Sequence, residues 1–178
     1  MTLYLMRHFY VTANIPTWVT PKEFNSWIDT YDASPINPFE VTLPQKIDLF
    51  LCSPSSRTRR SMEQVTSKEV VYLDTLVEVD PKLECNISLK LPKYLWFFIS
   101  RWRWHRNNLK GETRIKSEAR TKALVKYLRK SNKQNIFILS HGFFFKVLEK
   151  ELLAQGFKGK IDFLPKNGKI YTFMENEF

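Results

Sequence analysis

Glycine is scarce in this sequence: five residues among 178, few for a loop-rich all-β protein with many tight turns. Cysteine is scarcer. Cys52 and Cys85 are the only two, too few for a disulfide framework. Cys52 sits in an apolar run, where a buried free thiol is expected. No window reaches the roughly 18 apolar residues that a membrane span requires. The N-terminus lacks the charged leader, apolar core and small-residue cleavage site of a signal peptide, because Arg7 and His8 interrupt the first apolar run. A cytoplasmic location is the expectation. Clustered carboxylates and His-x-x-x-His pairs are missing too, so the spacing suggests no metal. No internal repeat, low-complexity segment or linker divides the chain, and its length suits one domain over 1–178.

What is present is an ordinary globular composition with 43% hydrophobic and 26% charged residues. A chain this long buries about 70% of its unfolded surface and needs no staples. The formal net charge is +10, and it is unevenly spread. Arg101, Arg103, Arg106, Lys110, Arg114, Lys116, Arg120, Lys122, Lys126, Arg129, Lys130 and Lys133 are opposed in their stretch only by Glu112 and Glu118. Such a field attracts phosphorylated metabolites, phosphoproteins, nucleic acid or acidic lipid, and charge alone does not choose among them.

Apolar runs predict strands at 2–6, 46–52, 69–73, 135–139 and 169–174, the last paired at an edge. Between them, helices are predicted at about 21–31, 55–66, 92–107, 112–131 and 142–155. Thr20 and Pro21 suit the first as cap and first helical residue. Alternation of strand and helix argues for an α/β fold with a largely parallel central sheet. In such sheets ligands bind beyond the carboxyl ends of the strands.

Three of those ends carry the polar residues most suited to chemistry. TLYLMRHFY runs into Arg7 and His8, KIDLFLCSPSSRTRR into Arg57, and NIFILSHGFFF into His141. Arg57 and His141 also stand at helix starts, where unpaired N–H groups favour an anion. Imidazole and guanidinium together suit phosphoryl transfer. A neutral histidine attacks phosphorus and holds the group covalently, while arginines grip the equatorial oxygens. An acid must protonate the leaving oxygen.

These residues resemble the signature of the histidine phosphatase superfamily, the phosphoglycerate-mutase-like group. The likeness rests on Arg7-His8, on SPSSRTRRSME around Arg57, on LSHGFFFKVL around His141, and on GETRIKSEARTKAL at 111–124. It implies a phosphoglycerate-mutase-like, three-layer α/β/α fold and a metal-independent, cofactor-free phosphatase acting through a phosphohistidine. By this match His8 is the phosphorylated nucleophile, and Arg7, Arg57 and His141 complete the phosphate pocket. Asn14 stands where an asparagine often touches the phosphate. Leu76-Val77-Glu78 matches the segment that carries the general acid, which makes Glu78 the first candidate, with Asp80 and Glu84 behind it. An insert at about 85–110 would cap the site, and its arginines would steer a second acidic group of the substrate.

The chain departs from the family pattern at Phe9, Tyr10 and Val11, where the family usually reads glycine and then an acid before Thr or Ser. Short length and altered motif favour a phosphatase over a mutase. The substrate would be a small phosphometabolite or a phosphoprotein. A second reading is a catalytically weakened phosphate-binding module. A nucleic-acid-binding protein ranks third, since no such motif is present. His105 is expected at the surface and the tryptophans of 94–106 in the core, a membrane-surface helix being the lesser reading of that stretch.

Overall fold

A computed structural model describes residues 1–85, 87–108 and 111–175. At its centre lies a six-stranded sheet of β1 (Thr2–Arg7), β2 (Leu49–Cys52), β3 (Val70–Tyr72), β4 (Asn135–Ser140), β5 (Phe157–Gly159) and β6 (Ile170–Glu175). The order is β3-β2-β4-β1-β6-β5. The first four run parallel, and β6 and β5 join antiparallel.

Side-chain alternation explains the layers. In β4, Ile136 and Ile138 face one side and Phe137 and Leu139 the other, and all four are buried. A strand covered on both faces reads as a continuous apolar run, as NIFIL does. The Leu3, Leu5 and Leu51 side of the sheet packs on α4 (Arg114–Lys130) and α5 (Gly142–Ala154), through Leu124, Leu128, Phe144 and Leu148. The Met6 and Phe50 side packs on α2 (Ser56–Val65) through Met62. These are the three layers of the α/β/α arrangement that the resemblance implies.

A third cluster forms beyond the sheet. Phe24 of α1 (Pro21–Ala33) meets Trp96 of α3 (Lys93–His105), with Val19 and Leu83 between. Thr20 and Glu23 close a capping box around the start of α1, with Pro21 as its first residue. A short ribbon pairs Trp18–Val19 with Leu91–Pro92, which ties the N-terminal loop to the start of α3. Of the segment 85–110, Leu91–Pro92 enters this ribbon and Lys93–His105 forms α3, while residues 86, 109 and 110 lie outside the described residues.

Two expectations are corrected. The last strand is not an edge: β6 lies between β1 and β5. The strand outside it, β5, spans three residues of which only Phe157 is buried, so it has no apolar period to read. And α4 begins at Arg114, not at 112, because Thr113 caps it and Glu112 is drawn back to pair with Arg120.

Candidate active site

Parallel pairing brings the two histidines together. β1 and β4 are in register with Arg7 opposite Ser140, so His8 and His141 leave the sheet side by side. The His8 N–H donates to the Ser140 carbonyl at 3.0 Å. The two rings lie edge to face, 5.5 Å between centroids. One strand further, β2 ends at Cys52, and the Ser53 N–H donates to the Leu139 carbonyl at 3.0 Å. The chain then turns through Pro54 into α2, whose first turn carries Arg57. Arg57 reaches back so that Nη2 donates to His141 Nδ1 at 2.9 Å. Arg7, His8, Arg57 and His141, distant in sequence, are thus gathered at one end of the sheet.

The hydrogen bonds assign the protons. The partner of His8 Nδ1 is the Phe9 carbonyl at 2.7 Å, so Nδ1 carries the hydrogen and Nε2 keeps its lone pair. For His141 the order is reversed. Nδ1 accepts from Arg57, so Nε2–H donates to Ser53 Oγ at 2.9 Å and faces Ser55 Oγ at 3.3 Å. Burial holds the pKa of both rings well below the usual histidine value. For His8 the guanidiniums of Arg57 and Arg7 add to this effect, and for His141 those of Arg57, Arg7 and Arg120 together with His8. Both imidazoles are neutral near pH 7.

A cavity of about 500 Å³ opens over this cluster. Arg7, His8 and Arg57 line it, with Glu78 and Asp80 from the loop after β3. Trp27, Ile28 and Tyr31 of α1 form one wall, and Phe97 and Arg101 of α3 another. Arg101 lies 3.9 Å from the Phe143 ring centroid, and its Nη1 donates to the Val79 carbonyl at 3.0 Å. The Nε atoms of Arg7 and Arg57 are buried without hydrogen-bond partners among the described residues. Such donors suit an anion better than an apolar ligand. His141 does not line the cavity; it supports Arg57 from behind.

Two candidates fall elsewhere. Asn14 lies in a separate groove with Ile15, Lys22 and Thr30, and Trp27 borders both spaces. Glu84 lines a neighbouring cleft with Arg103 and Glu112.

The helix starts also differ from expectation. At α2, the Ser56 and Arg57 N–H groups donate to the Asp32 carboxylate at 3.0 and 3.2 Å, and Arg57 Nη1 joins them at 2.9 Å. At α5, the Phe144 N–H donates to Glu78 Oε1 at 2.8 Å and the Phe143 N–H to Oε2 at 3.3 Å. The chain's own carboxylates therefore fill the anion positions that the sequence reserves for a ligand. The guanidiniums of Arg7 and Arg57 and the His8 imidazole face the cavity beside Glu78 and Asp80.

Phe9, in place of the family glycine, does not obstruct. Its ring is buried in the core with Met6 and Met62, 5.2 Å from Phe39, and does not line the cavity. Its N–H donates to Ser61 Oγ and its carbonyl holds His8. On the other side, the Asn167 amide donates to the His8 carbonyl and the Gly168 N–H to the Arg7 carbonyl. Gly168 has φ +70°, and a Cβ there would strike the Phe39 ring, so this turn requires glycine.

Tyr31, Asp32, Phe97 and Arg101 are the site residues that sequence reasoning misses individually. Trp27, Ile28 and Tyr31 share one face of α1 at helical spacing, a periodicity that signals burial but not what is buried against it. Asp32 offers no signal, since its partners come 24 and 25 residues later.

A family model described as histidine phosphatase superfamily (branch 1) matches residues 40–176, beginning downstream of Arg7 and His8. No curated protein matches the sequence significantly. Among solved structures, a phosphoserine phosphatase from Entamoeba histolytica, in complex with 3-phosphoglyceric acid, superposes with a TM-score of 0.57 at 17% identity, over 97% of this chain and 90% of that one. A mycobacterial glucosyl-3-phosphoglycerate phosphatase gives 0.53 at 16%, over 86% and 79%. The α-ribazole phosphatase from Shigella flexneri gives 0.52 at 16%, over 97% and 89%. At these identities the likeness speaks for the fold.

Proposed function

Because the chain belongs to the histidine phosphatase superfamily, branch 1, we propose that it hydrolyses phosphomonoesters through a phosphohistidine on His8. The observation that carries this reading is the His8 tautomer beside two arginines: Nδ1–H is tied to the Phe9 carbonyl, which leaves Nε2 as a neutral nucleophile next to Arg7 and Arg57. Nε2 attacks phosphorus, the ester P–O bond breaks, and the leaving oxygen takes a proton from Glu78. Water then attacks phosphorus and gives a proton to Glu78, the P–Nε2 bond breaks so that His8 regains its lone pair, and inorganic phosphate departs. Arg7 and Arg57 offset the charge that develops on the phosphoryl oxygens. Glu78 Oε2 accepts from the Phe143 N–H at 3.3 Å, a longer contact than the two that Oε1 accepts from Val79 and Phe144 at 2.9 and 2.8 Å.

The substrate class is a small phosphoester or phosphorylated side chain that carries a second acidic group. Arg101 supports this, as a third guanidinium on the cavity wall, held over the Phe143 ring. The matched structures bearing phosphatase names are in keeping with hydrolysis over mutase chemistry.

The test is a panel of phosphoesters, including a generic aryl phosphate, run without added metal on wild type and His8→Ala together. Wild type turns over, and His8→Ala loses about a thousandfold or more while keeping its circular dichroism spectrum. A fully active His8→Ala enzyme overturns the reading. One observation favours the second reading, a binding module with little turnover: Glu78 acts as acceptor in all three of its hydrogen bonds. Calorimetry with vanadate separates the two, since binding without turnover belongs to the module alone.

A further inference from the structure

Helix α3 is apolar on two opposite sides. Trp96, Ser100 and Trp104 recur every four residues and are buried against the protein. Tyr94, Phe98 and Trp102 recur at the same spacing on the other side and stand 72%, 66% and 54% exposed. Leu95, also exposed, broadens the stripe, and exposed Trp18 lies beside its start, paired opposite Pro92. A helix apolar all round is normally covered all round. By contrast, the outer side of α4 carries Lys116, Lys122, Lys126 and Lys130, as expected for a solvated helix.

The segment that carries the stripe has charge of one sign, although Arg103 on it shares a cleft with Asp80, Glu84 and Glu112. No acidic residue occurs between Glu84 and Glu112. Lys93 lies 5.4 Å from the Tyr94 ring centroid at one end, and Arg106 lies 5.6 Å from the Trp102 ring centroid at the other. We propose that this face of α3 docks on the surface of an acidic-lipid bilayer, with Tyr94, Phe98 and Trp102 at headgroup depth and Lys93 and Arg106 on the lipid phosphates.

The arrangement fits a bilayer surface better than other occupants. Amphipathic aromatic rings flanked by cations are the residues that favour the membrane–water boundary, and each juxtamembrane cation gains from anionic lipid. Thirteen residues of helix extend about 20 Å, too short to cross the hydrocarbon but enough to lie along it. Among the described residues, no helix is long and apolar enough to cross a membrane. A second copy of the chain is a poorer occupant, because a two-fold contact along the helix would set Lys93 and Arg106 against the cations of the other copy in a chain of net charge +10. Since Phe97 and Arg101 on the same helix line the cavity, docking would bring the cavity mouth close to the lipid surface.

Vesicle sedimentation tests this. Wild type pellets with vesicles of phosphatidylcholine mixed with phosphatidylserine, stays in solution with phosphatidylcholine alone, and is released by salt. Phe98→Ser with Trp102→Ser lowers the binding to the mixed vesicles about tenfold or more, and Arg106→Glu weakens it as well. Neither change touches the catalytic cluster, so turnover of a soluble aryl phosphate stays at the wild-type value and reports that the variants are folded. Failure of wild type to pellet with the acidic vesicles overturns the proposal. So does unchanged binding by the double variant, which assigns the attraction to another basic surface. Equilibrium sedimentation showing a dimer that the double variant dissolves also overturns it, in favour of a second copy on the stripe.

Discussion

Arg57 donates one Nη to Asp32 and the other to His141, so its guanidinium is held from two sides before any ligand arrives. Such preorganisation lowers the cost of stabilising charge that appears only in the transition state. Asp32 acts through Arg57 and is a positioning residue. Asp32→Asn keeps the shape but weakens the charged hydrogen bonds. It is expected to lower kcat about tenfold with no rise in KM, since Arg57 stays in the cavity but loses its fixed orientation. Steady-state kinetics with an aryl phosphate check this, and a rise in KM at constant kcat contradicts it. Arg7, His8, Arg57 and His141 are legible in the sequence for a physical reason: each follows an apolar run, and strand ends in a parallel sheet converge. Asp32 is not legible, because a carboxylate in the last turn of an amphipathic helix reads as solvated until α2 is placed against it.

At the scale of elements, the loop after β3 is set by contacts from α4 and β4. Arg120 of α4 donates to the Thr75 carbonyl at 3.1 Å and to the Val77 carbonyl, and it pairs with Glu112 at 2.6 Å. Ser140 Oγ donates to the Leu76 carbonyl. These bonds fix the three residues before Glu78. Arg120→Ala removes the cation from the largely buried Glu112 carboxylate, which keeps only its Ser117 Oγ contact among the described residues, and takes the donor from two carbonyls. It is expected to cost about 2–4 kcal/mol in urea unfolding and to lower turnover through Glu78. Adding Glu112→Ala should restore part of the lost stability without restoring turnover, as non-additivity requires of groups in contact. The run 111–124 marks a helix and its start in the sequence, but its role in bracing an acid more than thirty residues upstream emerges only from packing. The same holds for β5 and β6, whose order depends on which edge of β1 is free once β4 has taken the other.

At the scale of the whole molecule, two buried neutral histidines make folding sensitive to acid. In the unfolded chain each takes up a proton near its ordinary pKa of about 6.5, while burial keeps the folded values well below that. The unfolded state therefore binds more protons below pH 6.5 or so, and stability falls as the pH drops. The slope is up to about 1.4 kcal/mol per pH unit for each ring, continuing down to the folded pKa values. Urea midpoints between about pH 6.5 and 5 should show this loss, and His8→Gln should flatten it; a midpoint that does not move contradicts the neutral, buried pair. The α/β architecture was legible because two-sided burial writes itself as unbroken apolar runs, whereas the cavity walls came from α1 and α3, whose apolar faces carry no label for what they enclose. The central claim is that His8 accepts the phosphoryl group. Rapid acid-free quenching of wild type during turnover of an aryl phosphate, followed by intact-mass and peptide analysis, tests it most directly. The expected result is one acid-labile, base-stable phosphoryl group on His8 that appears and decays at rates matching turnover. Steady turnover with no phosphoryl group ever found on His8 would contradict it.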